Sequence, residues 1–183
     1  MKITPITTGF VLFTLLLSAA GCSKKTPEET REGEADMAIQ LTSKAFTEGD
    51  NIPKRFTCDG TNTSPQLAWT GIPNGSKSLA LIMDDPDAPG RTFVHWVLYD
   101  LPPDLIELAE GYKGVGVAGV NSYRKTSYNG PCPPPGSTHR YYFKLYALDA
   151  ALNLSSGSTK EDIEKAMQGH ILAWGQLMGK YGR

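Results

Sequence analysis

Two aspartates and two histidines hold the chemistry this sequence could do. Asp85 and Asp87 stand between prolines in Asp84-Asp85-Pro86-Asp87-Ala88-Pro89-Gly90, directly after the apolar run Leu79-Ala80-Leu81-Ile82-Met83, and His95 follows inside Phe93-Val94-His95-Trp96. His139 closes a second stiffened loop, Gly130-Pro131-Cys132-Pro133-Pro134-Pro135-Gly136-Ser137-Thr138, and opens the aromatic run Arg140-Tyr141-Tyr142-Phe143-Lys144-Leu145-Tyr146. Proline fixes φ and restricts the residue before it, so both loops offer rigid backbone on which a site can be pre-formed. Three chemistries suit these residue types. Two imidazoles and a carboxylate can ligate a transition metal, or they can act as a general acid–base set. They can also bind an anion, with imidazoles donating, Asp85 orienting one ring through its other nitrogen, and Gly-containing loops adding backbone amides. Against all three stands the usual fate of a lone histidine, a hydrogen-bonded core residue. Two histidines, each delivered by a proline-stiffened loop, weigh against that fate, although spacing does not prove that they meet.

The hydrolase version of this chemistry ranks below binding. No Ser or Cys lies in a recognisable nucleophile elbow, and Cys132 sits among prolines, away from any helix N-terminus that would lower its pKa.

The elements that must position these residues read mostly as strands. Ala38 to Ser43 alternates apolar and polar residues, the period of a half-buried strand. Phe46 to Pro65 is a long Gly/Asn/Thr-rich loop with Phe56 and Ile52 turned inward, and Leu67-Ala68-Trp69 is a short strand ended by a tight turn at Asn74-Gly75. Ser78 to Met83 and Phe93 to Tyr99 are strands, and His139 to Leu148 is a central one. Asp104 to Asn129, with glycines at 111, 114, 116 and 119, reads as a mobile surface excursion. Ser158-Thr159-Lys160-Glu161 is a capping-box pattern, and Ile163, Ala166 and Met167 make the apolar face of one helix over 159–168. Gly169 stops that helix and Gly175 interrupts further helical spacing, so residues 170–178 are assigned to a final strand. The expected architecture is β-rich, with two packed antiparallel sheets and a single clear helix.

A chain of 183 residues with a formal charge of -1 and no basic run beyond Lys24-Lys25 fits one domain and carries no electrostatic footprint of a nucleic-acid binder. Its first segment is not fold. A short apolar stretch, Phe10 to Leu17, follows Lys2 and leads to Ala19-Ala20-Gly21-Cys22, which resembles a bacterial lipoprotein cleavage box. That resemblance implies removal of residues 1–21, acylation of Cys22, and export to the cell envelope with the protein held on the membrane by its lipid. Residues 22–36 contain no aliphatic or aromatic side chain beyond Ala35, so they read as a solvated tether, and the domain spans 37–183.

The blocks Asp85-Pro86-Asp87-Ala88-Pro89 with Phe93-Val94-His95-Trp96, and Gly130 to Tyr146, together resemble the two signature blocks of the phosphatidylethanolamine-binding protein family, in its bacterial Raf-kinase-inhibitor-like branch. Thr57-Cys58-Asp59-Gly60, Ser64-Pro65 and Gly169 to Ala173 fit the same branch. The resemblance implies a large antiparallel sheet packed on a smaller one, with a small pocket at the sheet's end that accepts phosphate, acetate or a phosphorylated head group. The reading is a non-enzymatic binding module without a cofactor, with a hydrolase using His95 or His139 as base ranked second and a metal-binding protein third, and the family name suggests regulation of a kinase or a serine protease. Carried over by position, Asp85, His95, His139 and Tyr141 match pocket residues, and Asp87, Gly130 and Pro134 match its rim. Arg140 matches a motif position without a ligand role, Phe93 stands where many relatives have tryptophan, and Trp96 and Tyr128 are assigned to the core. With Cys22 acylated, Cys58 and Cys132 remain in an oxidising compartment, in loops near signature residues, and are expected to pair; two free thiols are the alternative.

Overall fold

The computed structural model describes Met1 and residues 38–183. The expected leader and tether, with the acyl acceptor Cys22, lie outside the described residues.

In chain order the strands are β1 (Gln40–Thr42), β2 (Leu67–Thr70), β3 (Ser78–Asp85), β4 (Phe93–Leu101), β5 (Glu107–Leu108), β6 (Val117–Ala118), β7 (Thr138–Leu148) and β8 (Ile171–Gly182), with helix α1 (Lys160–Met167) between the last two. They form a small sheet in the order β1-β2-β5 and a large one in the order β6-β4-β3-β7-β8, and every pairing within them is antiparallel. This is the expected β-rich architecture.

The apolar run of β3 explains its place. All of its residues are buried because both faces are covered. Leu79, Leu81 and Met83 pack with Leu41, Leu67, Trp69 and Leu108 between the two sheets, while Ala80 and Ile82 pack with Ile163 and Met167 of α1 on the opposite face. A continuous apolar strand suits such a position, whereas β7 and β8, more open on one side, keep the alternating pattern. Replacing Leu81 by Ala would leave a cavity worth about 2–5 kcal/mol. Buried Asp84, facing the helix side, accepts from Lys144 and Lys160 Nζ at 2.9 Å each, which fastens α1 to the sheet by charge as well as by area.

Four details differ from the sequence reading. The helix is capped one residue later than its Ser158/Glu161 pattern suggests: Thr159 is the N-cap and exchanges bonds with Asp162, which is equally able to close the box. Glycine 175 lies inside the expected final strand, but its reason is steric: a Cβ there would lie 2.0 Å from the Ile39 carbonyl oxygen, so glycine is what lets the chain before β1 cross β8. A single 3-10 turn, Lys54–Phe56, interrupts the long loop while burying Phe56.

The fourth is a correction: the segment 104–129 is fastened at three places. Its β5 extends the small sheet and its β6 the large one, and Asn121, 4 % exposed, bonds the rest. Asn121 Nδ2 donates to the carbonyls of Ser127 (2.8 Å) and His95 (3.2 Å) and to Asn129 Oδ1 (3.2 Å), while its Oδ1 accepts from the backbone N–H groups of Tyr123 and Lys125 at 3.0 Å each. Glycine-rich sequence left this invisible to periodicity.

Candidate functional site

The pocket lies where β3 ends and its two antiparallel neighbours, β4 and β7, begin. Asp85 is the last residue of β3 and pairs with Phe93 at the start of β4. Register explains His95. Met83 opposes Trp96 and Asp84 opposes Val94, so His95 is the extra residue of a β-bulge. The consequence is visible in packing, because Trp96 joins the core between the sheets while Val94, two residues earlier, joins the helix-side core. Off the ladder, the His95 carbonyl accepts instead from Asn129 N–H (3.1 Å) and Asn121 Nδ2.

Asp85, His95 and His139 line one cavity of about 180 Å³, together with Ala88, Pro89, Phe93, Tyr123 and the wall Cys132-Pro133-Pro134. The two histidines therefore meet at one site. His139 Nδ1 lies 2.7 Å from Asp85 Oδ2, and both side chains are buried, so the carboxylate orients that ring as expected. The other Asp85 oxygen accepts from Asp87 N–H at 2.8 Å. His95 Nδ1 donates to the Asn129 carbonyl at 2.7 Å. Burial, opposed by the Asn129 and Gly130 carbonyls and by the Asp85 and Asp84 charges, holds the His95 pKa below its ordinary value.

Tyr141 stands edge-on to His95 with ring centroids 5.2 Å apart. It is fully buried, and its hydroxyl has no hydrogen-bond partner among the described residues. An unpaired buried hydroxyl costs about 1–3 kcal/mol unless something else completes it. Burial first, then the nearby Asp85 charge, push its pKa well above the ordinary phenol value, so it remains a donor.

Three expected contributions change. Tyr141 packs on His95 but is not among the residues that line the cavity. Gly130 does not offer its amide to the pocket: that N–H donates to Asn62 Oδ1 at 2.7 Å, and a Cβ at 130 would lie 2.0 Å from the Phe56 carbonyl oxygen, so glycine serves a close backbone crossing. Asp87 turns from the cavity to Arg140, accepting from its backbone N–H and Nε at 2.9 Å each and from Nη2 at 2.6 Å. Those bonds hold the Asp87 pKa at about 2 and give Arg140 a clamping role that motif position had not assigned. Pro134 does line the cavity, and its carbonyl accepts from Ser137 Oγ at 2.7 Å.

Sequence reasoning missed Tyr123, Asn121 and Asn129. Tyr123 walls the cavity and meets the Phe93 ring edge-on at 4.9 Å, while Asn129 supplies a carbonyl, which any residue type could do. Only an aromatic and an asparagine among glycines could have hinted at the first two. Cys58 and Cys132 form the expected disulfide, with Cα atoms 5.4 Å apart.

Ser137 Oγ lies 3.3 Å from His139 Nε2, which completes a Ser137–His139–Asp85 line. Its hydroxyl hydrogen, however, goes to the Pro134 carbonyl, and the Ser137 and Gly136 amides bond the Pro134 and Arg183 carbonyls, so these two amides are not free to stabilise an oxyanion. Among the described residues no group of three or more His, Cys, Asp and Glu gathers in metal-binding geometry. A larger cavity of about 560 Å³, lined by Trp96, Tyr112 and Tyr128 among others, lies apart from the histidines.

By class the domain is a two-sheet β sandwich with a small cavity at the end of its large sheet, lined by two histidines and a carboxylate. The chain belongs to the phosphatidylethanolamine-binding protein family, whose model matches residues 42–182. A UPF0098 protein of Methanothermobacter thermautotrophicus is 48% identical over 151 residues, 79% of this chain and 99% of that protein. A UPF0098 protein of Chlamydia muridarum is 47% identical, over 78% of this chain and 98% of its own length. Among solved structures, the phosphatidylethanolamine-binding protein homologue CT736 of Chlamydia trachomatis superposes with a TM-score of 0.77 at 44% identity, covering 81% of this chain and 99% of its own. YbcL of E. coli, described as a member of the mammalian family, gives 0.75 at 29% identity, over 80% and 99%.

Proposed function

We propose that this protein is a binding module whose cavity takes a small oxyanion, phosphate or a phosphorylated group, without chemical change. What supports the reading is the convergence of His95, His139 and Asp85 on one small cavity beside a buried Tyr141 hydroxyl that lacks a partner. Phosphate-sized ligands fit a volume of about 180 Å³, and anything attached to them would leave past the exposed rim at Pro89 and Pro134. A kinase or serine-protease partner would approach from that same rim.

Titration calorimetry with inorganic phosphate tests the reading. Charge-assisted bonds contribute about 1.5–3 kcal/mol, so His139→Ala should weaken binding at least about tenfold, and Asp85→Asn should weaken it by misorienting the ring. Equal affinity in wild type and both variants would defeat the proposal.

The Ser137–His139–Asp85 line supports a second reading, a hydrolase. Cleavage of p-nitrophenyl acetate by wild type that Ser137→Ala abolishes would replace the first reading with it. For location we propose that Cys22 is acylated and holds the domain on the bacterial cell envelope. Wild-type protein that fractionates as soluble, like Cys22→Ser, would sink that idea.

A further inference from the structure

The cavity of about 560 Å³ that lies apart from the histidines has the volume of a site for a small organic molecule. It borders the core between the sheets at the β6 edge, where Trp96 and Leu98 of β4 and Ala118 of β6 each touch that core and line the cavity as well. Tyr112 and Tyr128 supply two more walls, the Tyr128 ring standing edge-on to Trp96 at 5.5 Å. These walls are held in place. Tyr128 Oη donates to the Phe56 carbonyl at 2.6 Å, Tyr112 Oη to the Val115 carbonyl at 2.9 Å, and the Gly111 and Tyr112 N–H groups to the Ser64 carbonyl and Oγ at 3.0 and 3.1 Å. A Cβ on Gly114 would lie 2.6 Å from the Tyr112 ring, so glycine there leaves room for that wall.

Two buried hydrogens in this cavity have no acceptor. Trp96 is 3% exposed, and its indole N–H finds no partner among the described residues, while its nitrogen keeps contact with open space, which for this residue is the cavity it lines. Ser64, also 3% exposed, accepts from Tyr112, and its own hydroxyl hydrogen goes to no described residue. An indole N–H only donates, so what completes it must accept. Water does so in the free protein, and an oxygen of a ligand takes its place. The charge at the site has one sign. Lys113 stands exposed at the mouth without an ion pair among the described residues, and no described Asp or Glu lines the cavity.

We propose that this cavity is a second ligand site, specific for an aromatic carboxylate. The ring packs edge-to-face among Trp96, Tyr112 and Tyr128 on a floor of Leu98 and Ala118, and the carboxylate accepts from Trp96 and Ser64 with Lys113 above it. An apolar molecule without an acceptor would leave both donors unpaired, whereas a doubly charged phosphate would meet a single lysine. The site shares no lining residue with the histidine cavity, so it stands whether or not phosphate binds there.

Calorimetric titration of the full chain with 2-naphthoate, 2-naphthylmethanol and acetate tests it, with the indole N–H signal of Trp96, assigned among the chain's three tryptophans by substitution, followed by NMR. Naphthoate should bind and shift that signal. The alcohol keeps the rings and loses the charge, so it should bind at least about fivefold more weakly. Acetate keeps the charge and loses the rings, so it should leave the indole signal in place. Lys113→Gln, at an exposed position, should weaken naphthoate by up to about fivefold and leave the alcohol unchanged. Saturating phosphate and His139→Ala should each leave the naphthoate affinity as it is, which separates this site from the histidine cavity. The proposal is overturned by an unmoved Trp96 signal, by equal binding of naphthoate and the alcohol, or by an effect of Lys113→Gln that is the same for both. Displacement of naphthoate by phosphate, or its loss in folded His139→Ala, overturns it too by placing the probe at the histidines. The wild-type titrations carry the decision where a variant fails to fold.

Discussion

Replacing Asn121 by alanine should be among the most damaging polar substitutions in this domain. The side chain is buried and links five groups: the carbonyls of His95 and Ser127, the side chain of Asn129, and the N–H groups of Tyr123 and Lys125. The His95 carbonyl keeps its bond from Asn129 N–H, so its loss is partial. The other groups lose their partner, and Tyr123, Lys125 and Ser127 are exposed enough to recover part of it from water. With the His95 carbonyl still bonded and three of the other four groups partly recovered by water, the five bonds together are worth about 3 kcal/mol, somewhat under about 1 kcal/mol each. Urea unfolding followed by tryptophan fluorescence should show a midpoint lower by about 1.5 M for a slope near 2 kcal/mol per M. Phosphate affinity should fall too, since the Asn129 carbonyl that fixes the His95 ring would lose one of its supports. Asn121→Asp separates the roles: it can still accept from Tyr123 and Lys125 but faces two carbonyls with a charge, so at neutral pH it should be at least as destabilising as alanine and recover on acidification. A change within about 0.5 kcal/mol for the alanine variant would refute the reasoning.

Cys58 and Cys132 should give no titratable thiol in the unfolded, unreduced protein, and the Cys58→Ser/Cys132→Ser variant should lose about 4 kcal/mol, because the bond closes a loop of 74 residues' separation; two reactive thiols would refute it. Removing the Arg140 clamp by Arg140→Ala should matter only above acid pH. The Asp87 pKa is depressed to about 2 by Arg140, so its stabilising effect is fully present above the unfolded value near 4 and is lost as pH falls from there through about 2. Wild type should therefore be the more stable of the two at pH 6 by a small margin that salt reduces, with the gap closing by pH 2; a gap that persists there would refute the electrostatic account.

Strand β3 and helix α1 were legible because each satisfies a local rule: an apolar run bounded by proline, and a capped 3.6-residue period ended by glycine. Both signals survive folding because the same residues that set them also fill the two cores. The segment 104–129 was not legible, since its two strands are two residues each and owe their pairing to sheets already built by distant sequence. The site was half legible. Asp85, His95 and His139 could be named from residue type and loop stiffness, but the bulge that re-aims His95 is a mismatch between two strands and leaves no trace in either one alone. Gly130 shows the opposite failure, in which a motif position suggested a ligand contact and the physical demand was a 2.0 Å clearance against Phe56.

The place of the pocket follows from the antiparallel order β4-β3-β7. Where the middle strand of such a triplet ends, both neighbours begin, so the carboxylate at the end of β3 is flanked by the first residues of β4 and β7 by topology alone. Proline 86 stops β3 at that point and removes a ladder donor, and the two proline-rich loops fill the space the sheet no longer occupies. What topology does not supply is orientation. That comes from three bonds of very different reach: Asp87 N–H on Asp85 two residues away, Asn129 on His95 across 34, and Asp85 on His139 across 54. Only the first forms locally. The other two exist only once the large sheet and the 104–129 segment have closed, so partial opening of that segment should release His95 while leaving the Asp85–His139 pair intact. Hydrogen exchange measured with and without phosphate checks this: the amides of residues 121–130 should gain more protection from the ligand than those of β7, and uniform protection across both would contradict it.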